Sequence, residues 1–226
     1  MRVISLPLPF RQGTVNCYLV EAAHGFVLFD TGPSNARDEL ERELARAGCK
    51  PGNLDLIFLT HGDFDHTGNA AYLRNKYDSR IAMHQDDVGM AEQGDMFWNR
   101  SSGNAILRFI APILFRFTKA NRFKPDVMVT EGYDLGEYGF NGQVLSIPGH
   151  SQGSIGILTA GGDLFCGDLL ENTENPAKNS IMDDPVACEA SIEKLAGLPI
   201  GTVYPGHGAP FSMERFAAST KENEQA

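Results

Sequence analysis

The stretch Thr60–His66 reads Thr-His-Gly-Asp-Phe-Asp-His and closes the apolar run Leu54–Thr60. A short apolar run of this kind is typical of a buried strand. Two histidines and two aspartates therefore fall just after a predicted strand end. Glycine beside such residues lets the backbone turn tightly, so that polar side chains from several strand ends can converge. The stretch predicts one part of a site that is built from loops.

Three further segments have the same character, each with a glycine beside a histidine or an aspartate after an apolar run. They are Pro148–Ser151, Cys166–Asp168 and Pro205–Gly208. Imidazole suits zinc or iron, and carboxylates add negative charge and can bridge two ions. The four segments together therefore predict a two-metal site. Its candidate ligands are His61, Asp63, Asp65, His66, His150, Asp168 and His207.

These four segments, in this order, resemble the motifs of the metallo-β-lactamase-fold hydrolase superfamily. The leading motif of that family is His-x-His-x-Asp-His. Here it reads His61-x-Asp63-x-Asp65-His66, with aspartate at the second histidine position. The later segments match the third, fourth and fifth motifs through His150, Asp168 and His207.

The resemblance covers nearly the whole chain and implies an α/β (α+β) fold. This fold is a four-layer αββα sandwich, with two metal ions in a cleft at one edge of the paired sheets. We expect a single domain over residues 1–226 with a helical insertion at about 88–126. In the family's pattern the first ion is held by His61, His150 and Asp63, the second by Asp65, His66 and His207, and Asp168 bridges the two.

The implied activity is metal-dependent hydrolysis. Two ions of this family share a water or hydroxide, and the pKa of metal-bound water can fall to about 7. This nucleophile would attack an ester, thioester, lactone or amide carbonyl, and Asp65 would orient it or shuttle its proton. Asp30 resembles a carboxylate that orients a ligand histidine, with the chemistry of a helix-entry turn as the alternative. Ester, thioester and lactone bonds are the leading substrate expectation.

Aspartate at position 63 changes the charge expected at the metal ions. Two divalent ions with three carboxylates carry one positive charge less than the same site with histidine at this position. A less positive site is better matched to harder or more oxidised ions. We expect two divalent ions, with zinc as the first expectation and iron or manganese as the alternative that Asp63 favours.

Two rival functions stay open. Glutamate at the position of Asp63 is a feature of flavodiiron-type reductases, so the redox rival is a flavodiiron-like or persulfide dioxygenase-like iron enzyme. The other rival is a non-catalytic family member. A zinc β-lactamase is disfavoured, because its major classes carry cysteine where Asp168 stands. Glyoxalase II is disfavoured because its C-terminal helical domain would need more residues than follow His207.

The segment Met96–Pro125 contains six basic residues, six aromatic residues and no acidic residue. Its apolar residues recur with helical spacing, and Pro112 should kink or split the helix. The segment would pack its apolar face on the body, form a lid for an apolar or anionic acyl substrate, or form a homodimer contact. The residues of the predicted face are Ile106, Ile110, Ile113, Leu114 and Phe117.

Composition limits the remaining classes. The 226 residues are 42% hydrophobic with a net charge of −10, which allows a substantial core and argues against nucleic acid as a partner. Four scattered cysteines predict reduced, buried thiols in a cytoplasmic protein. No signal-peptide pattern or long apolar run is present, so we expect no stable membrane insertion.

Overall fold

A computed structural model describes residues 1–100 and 105–224, and in this part of the chain two larger sheets face one another. The strands of the first sheet are β1 (Val3–Phe10), β2 (Gly13–Glu21), β3 (Phe26–Phe29), β4 (Leu54–Phe58), β5 (Arg80–His84) and β6 (Val127–Val129). They lie in sequence order across the sheet. β1, β2 and β3 pair antiparallel, and β3 to β6 pair parallel.

The second sheet is assembled from the later part of the chain. Its strands are β7 (Gly142–Ser146), β8 (Ile155–Thr159), β9 (Asp163–Gly167), β12 (Thr202–Pro205) and β13 (Phe211–Ser212). They lie in the order β13-β12-β9-β8-β7, and β12 runs parallel to β9. A separate ribbon pairs β10 (Leu170–Glu171) with β11 (Ala177–Lys178).

Helices cover the outer faces of both sheets. α1 (Arg37–Arg46) and α3 (Ala70–Tyr77) pack on the first sheet through residues such as Leu40 and Leu73. α6 (Pro185–Ala196) and α7 (Met213–Glu224) pack on the second through Leu195 and Phe216. No helix in the described residues is both long and apolar enough to cross a membrane. Further helices are α2 (Phe64–Thr67), α4 (Val88–Gln93) and α5 (Ala105–Leu114).

The two sheets meet in an aromatic core. Phe29 of β3 stacks on Phe165 of β9 with ring centroids 4.2 Å apart. Within β3, Val27 and Phe29 face this core, while Phe26 and Leu28 face the helices. The alternation follows from the two-residue period of a strand, and burial of both faces explains why β3 is apolar throughout. The expected four-layer αββα sandwich is confirmed.

Two local features of the backbone have simple causes. β1 continues through Pro7 and Pro9, although proline has no N–H to donate to a neighbouring strand. Proline is tolerated there because β1 is an edge strand, which can lack some N–H donors. Between β6 and β7 the chain forms a 3-10 turn over Leu135–Tyr138, because the Asp134 side chain accepts a hydrogen bond from the Gly136 N–H and caps the turn.

The predicted insertion lies between β5 and β6 and contains α4 and α5. Its residues 101–104 lie outside the described part of the chain. The expected apolar face packs on the body at its end, where Phe117 stacks on Phe64 with ring centroids 4.0 Å apart. Ile113 and Leu114 of the same face are 62% and 68% exposed. Pro112 lies inside α5, which ends two residues later.

Candidate metal centre

Strand ends from both sheets bring the predicted ligands together. β4 of the first sheet leads into the stretch Thr60–His66, whose last three residues begin α2. In the second sheet β7, β9 and β12 lead into loops that carry His150, Asp168 and His207. All seven candidate side chains therefore lie at one edge of the sandwich, and six of them are buried.

The first group of side chains contains His61, Asp63 and His150, and their ligand atoms lie within 4.8 Å of one another. Asp63 Oδ2 lies 3.1 Å from His150 Nε2 and 3.8 Å from His61 Nε2. Zinc lies about 2 Å from nitrogen and oxygen ligands, so atoms at this separation can share one ion.

The second group contains Asp65, His66 and His207. Asp65 Oδ2 lies 3.6 Å from His207 Nε2 and 3.9 Å from His66 Nε2. Asp168 reaches both groups, because its Oδ1 lies 3.3 Å from His66 Nε2 and its Oδ2 lies 3.3 Å from His207 Nε2 and 3.8 Å from His150 Nε2. This is the place that the sequence resemblance assigned to a bridging ligand.

Each of the four histidine rings is anchored through Nδ1 and directs Nε2 into the cluster. Such anchoring fixes the tautomer and orientation of a ligand ring before any ion arrives. The Nδ1 contacts are His61 to Thr60 Oγ1 at 2.9 Å, His66 to Asp30 Oδ2 at 2.8 Å, His150 to the Ile181 carbonyl at 2.7 Å, and His207 to the Thr14 carbonyl at 2.8 Å.

Asp30 orients two of these rings. Its Oδ2 accepts hydrogen bonds from His66 Nδ1 and from the Thr60 hydroxyl, and its Oδ1 accepts from the Thr60 N–H. Because the Thr60 hydroxyl donates to Asp30, its lone pairs are left to accept from His61 Nδ1. Asp30 adopts a left-handed backbone with φ of 57°, which aspartate tolerates better than most residues. Of its two expected roles, the orienting one matches these contacts.

Among the described residues, four buried polar atoms of the cluster make no hydrogen bond. Asp63 Oδ1 is one of them and lies 2.7 Å from Arg100 Nη1 as an ion pair, whereas His61 Nε2, His66 Nε2 and Asp168 Oδ1 face only other atoms of the cluster. A buried polar atom without a partner costs about 1–3 kcal/mol, so three in contact indicate an absent ligand. Imidazole and carboxylate donors fit a divalent cation. Gly206 keeps the space open, since a side chain there would overlap Asp168 Oδ1. The residues present therefore fit the metal ions that the resemblance implies.

The charges of the cluster are strongly coupled. Burial raises the pKa of Asp168, but His66 and His207 outweigh burial and hold this pKa well below its usual range. Burial lowers the pKa of His207, yet Asp168 raises it to about 10. Burial and the neighbouring rings hold the pKa of His61 well below its usual range. Protonated rings cannot bind a cation, so ion binding releases protons.

Comparison with known proteins identifies the family. A family model described as the metallo-beta-lactamase superfamily matches residues 10–207. The chain belongs to this superfamily. It is 31% identical to the probable metallo-hydrolase MJ0888 of Methanocaldococcus jannaschii, over 85% of this chain and 87% of that protein. It is 27% identical to the acyl-coenzyme A thioesterase MBLAC2 of Bos taurus, over 88% and 75%. The solved structure of TTHA1623 in a di-iron-bound form is 29% identical to this chain. The match covers 93% of this chain and 96% of that chain, with a TM-score of 0.71.

The motifs in the sequence do not place Arg100 at the candidate metal centre, although it lies in the basic segment Met96–Pro125. Its Nη1 lies 2.7 Å from Asp63 Oδ1, and its Nε donates to Asp183 Oδ2 at 2.6 Å. Its Nη2 donates to the His150 carbonyl at 3.3 Å. The side chain is 5% exposed, and the only sequence signal was an arginine in a segment without acidic residues.

Asp87 is a second residue that the family motifs did not reveal. Its buried carboxylate accepts hydrogen bonds from the Gly62 N–H at 2.9 Å, the Ser151 hydroxyl at 2.6 Å and the Gly153 N–H at 2.8 Å. One carboxylate thus ties the loop after β4 to the loop after β7. These contacts fix the two loops, and thereby the ends of the two sheets, against each other beside the cluster.

The loop that carries His207 is fixed on the first sheet. The Asn16 side-chain amide donates to the carbonyls of Pro205 at 3.0 Å and Gly208 at 2.6 Å. The Tyr18 hydroxyl donates to the same Pro205 carbonyl at 2.7 Å. Residues of β2 thereby set the position of the last candidate ligand in the chain.

A cleft of about 590 Å³ opens above the cluster. Its walls come from the β1–β2 hairpin, the insertion and the segment around Ile181. The guanidinium of Arg11 lies over the rings of Phe10 and Phe115, 5.3 Å and 5.6 Å from their centroids. The apolar side chains of the walls are Phe10, Met96, Phe97, Phe115 and Ile181.

Proposed function

We propose that this protein is a metal-dependent hydrolase that cleaves an ester, thioester or lactone bond of a small apolar or anionic acyl compound. The observation that carries the proposal is the cluster of seven candidate ligand side chains, four of which have buried atoms that make no hydrogen bond among the described residues, at the floor of an apolar-walled cleft. Superfamily membership supports the hydrolase class, and a thioesterase among the relatives supports an acyl substrate.

We further propose that the two ions are held as the family pattern implies. His61, Asp63 and His150 would hold one ion, Asp65, His66 and His207 the other, and Asp168 would contact both. Bound ions would supply a nucleophile at neutral pH and polarise the carbonyl oxygen. Asp65 lines the cleft, where its carboxylate would orient the nucleophile and hold its proton.

The cleft walls indicate how a substrate would be oriented. Phe10, Phe97 and Phe115 offer apolar and aromatic surface to an acyl chain. Arg11 forms no ion pair among the described residues, and its guanidinium is held against two rings of the wall. A carboxylate or other anionic group on the substrate would form an ion pair with Arg11.

A redox iron enzyme is the second candidate function. Two observations favour it, namely the carboxylate of Asp63 in the cluster and the di-iron form of the 29% identical relative TTHA1623. The metal content and the optical spectrum of the protein distinguish the two candidates. Elemental analysis separates iron from zinc, and a ferric di-iron centre absorbs visible light whereas zinc does not.

We expect the purified protein to contain two metal ions per chain, with zinc as the first expectation. We also expect it to hydrolyse members of a panel of aryl esters, acyl thioesters and lactones. Chelation should abolish turnover and added zinc should restore it. Elemental analysis, an optical spectrum of anaerobically purified protein and the panel measure these outcomes. A fully loaded protein that turns over no member of the panel would contradict the hydrolase proposal. Iron with visible absorption and no hydrolysis would favour the redox candidate.

Arg11→Gln should weaken binding of anionic substrates alone. Exposed ion pairs contribute about 0.2–1 kcal/mol, so KM for an ester with a terminal carboxylate should rise by at most about fivefold. The neutral ester of equal length is the matched control, and its KM and the kcat of both should stay unchanged. Steady-state kinetics of the pair tests this, and equal effects on both esters would show that Arg11 does not recognise charge.

A further inference from the structure

The carboxylate of Asp63 faces two different partners. Its Oδ2 points to His150 and His61, at 3.1 Å and 3.8 Å from their Nε2 atoms. Its Oδ1 lies 2.7 Å from Arg100 Nη1. One oxygen is thus presented to the candidate first ion, and the other is occupied by a buried cation.

Arg100 is itself firmly held on its other sides. Its Nε donates to Asp183, and its Nη2 donates to the carbonyl of His150, a candidate ligand of the same ion. Asp183 is in turn fixed, because its N–H donates to the Gly149 carbonyl at 2.9 Å. Three donor atoms of one planar guanidinium therefore contact three segments, a geometry that the single ammonium of lysine cannot reproduce.

We propose that Arg100 is a positioning residue for the first metal ion. It holds Asp63 as a single-oxygen ligand and returns the positive charge that the site loses when aspartate replaces the second histidine of the leading motif. In this respect Arg100 does for Asp63 Oδ1 what Thr60 and the Ile181 carbonyl do for the Nδ1 atoms of the neighbouring rings. The inference rests on the metal-binding part of the proposed function.

The charge argument has a direct consequence for metal choice. Three carboxylates alone make the site one unit less positive than the His-x-His-x-Asp-His form. The buried guanidinium offsets this unit, while Asp183, with 22% of its side chain exposed, is partly solvated. The two-ion site is therefore closer in charge to a two-histidine zinc site than the residues of the motif alone suggest.

A double-mutant cycle with Asp63→His and Arg100→Gln tests the proposal. Zinc content by elemental analysis and zinc affinity by competition with a chromophoric chelator are the readouts, with no substrate present. In the native Asp63 chain, Arg100→Gln should lower the affinity for one of the two zinc ions by about 10- to 100-fold, the usual cost of losing a hydrogen-bonding partner of a metal ligand. In the Asp63→His chain the same change should have no effect or tighten zinc binding, because an imidazole at position 63 offers the guanidinium no carboxylate there, while its contacts with Asp183 and the His150 carbonyl remain.

Several controls keep the result decisive. Arg74→Gln removes an arginine that pairs with Asp126 at 3.6 Å outside the cluster, and it should leave the zinc content unchanged. If Asp63→His does not fold by circular dichroism, Asp63→Asn takes its place in the cycle, and Arg100→Gln should then cost clearly less than in the Asp63 chain.

The outcomes separate this inference from the proposed function. Equal losses from Arg100→Gln in both backgrounds, within about twofold, would overturn the inference and leave Arg100 a purely structural residue. No loss in either background would overturn it as well. A protein that shows the expected coupling but hydrolyses nothing would contradict the hydrolase function and leave the role of Arg100 intact.

Discussion

Asp168→Ala should reduce the metal content from the proposed two ions per chain to one or fewer and lower turnover at least about 100-fold. Losing an outer partner of a metal ligand typically costs 10- to 100-fold, and a shared ligand should cost more. Asp168 is the carboxylate that approaches rings of both groups. Its Oδ1 lies 3.3 Å from His66 Nε2, and its Oδ2 lies 3.3 Å from His207 Nε2 and 3.8 Å from His150 Nε2.

Elemental analysis after gel filtration and steady-state kinetics measure both effects of Asp168→Ala. Asp163→Ala on the same strand, β9, is the matched control and should retain both ions. Circular dichroism establishes folding, and Asp168→Asn, which keeps the side-chain volume, serves if the alanine variant does not fold. Two tightly retained ions in either folded variant would contradict a bridging role for Asp168.

Asp65→Asn should lower kcat by about 10²- to 10⁴-fold, the usual contribution of a positioned general acid or base. Asparagine keeps the volume of the side chain and one oxygen near His207, so metal content and KM should change much less than kcat. The effect therefore separates the handling of a proton from metal binding. The large change in kcat follows because an amide cannot accept the proton that the nucleophile must lose.

Kinetics on protein of measured metal content tests the Asp65→Asn prediction. Asp38→Asn, at an exposed position of α1, is the control for a change of one charge and should leave kcat unchanged. A near-native kcat in the loaded variant would remove Asp65 from the catalytic role. Loss of one ion with no further loss of kcat per loaded site would make Asp65 a ligand only.

The clustering of the seven candidate ligands could be predicted because these residues carry their own signature. Histidine and aspartate beside glycine at successive strand ends have few alternative explanations, and their order matched one family. The anchors of these ligands were harder to foresee. The carbonyls that fix His150 and His207 belong to Ile181 and Thr14, and a backbone carbonyl leaves no trace in the sequence.

Arg100 and Asp87 show a different limit of sequence reasoning. Each acts through partners that are distant in the chain, and neither lies in a family motif. The insertion shows a third limit, since its periodicity predicted an apolar helical face but not what covers it. Phe117 is buried against Phe64, while Ile113 of the same face is 62% exposed. Periodicity reports that a face exists, and tertiary contacts decide its use.

The attachment of the His207 loop to β2 has a consequence for how the protein is made. Asn16 and Tyr18 are synthesised early, and the carbonyls that they bind belong to Pro205 and Gly208. Contacts of such large sequence separation close a long loop and form late in folding. On the ribosome, the stretch Thr60–His66 is therefore exposed with an incomplete set of ligands until β12 has left the exit tunnel. Capture of the two proposed ions would then be a late event that completes folding instead of starting it.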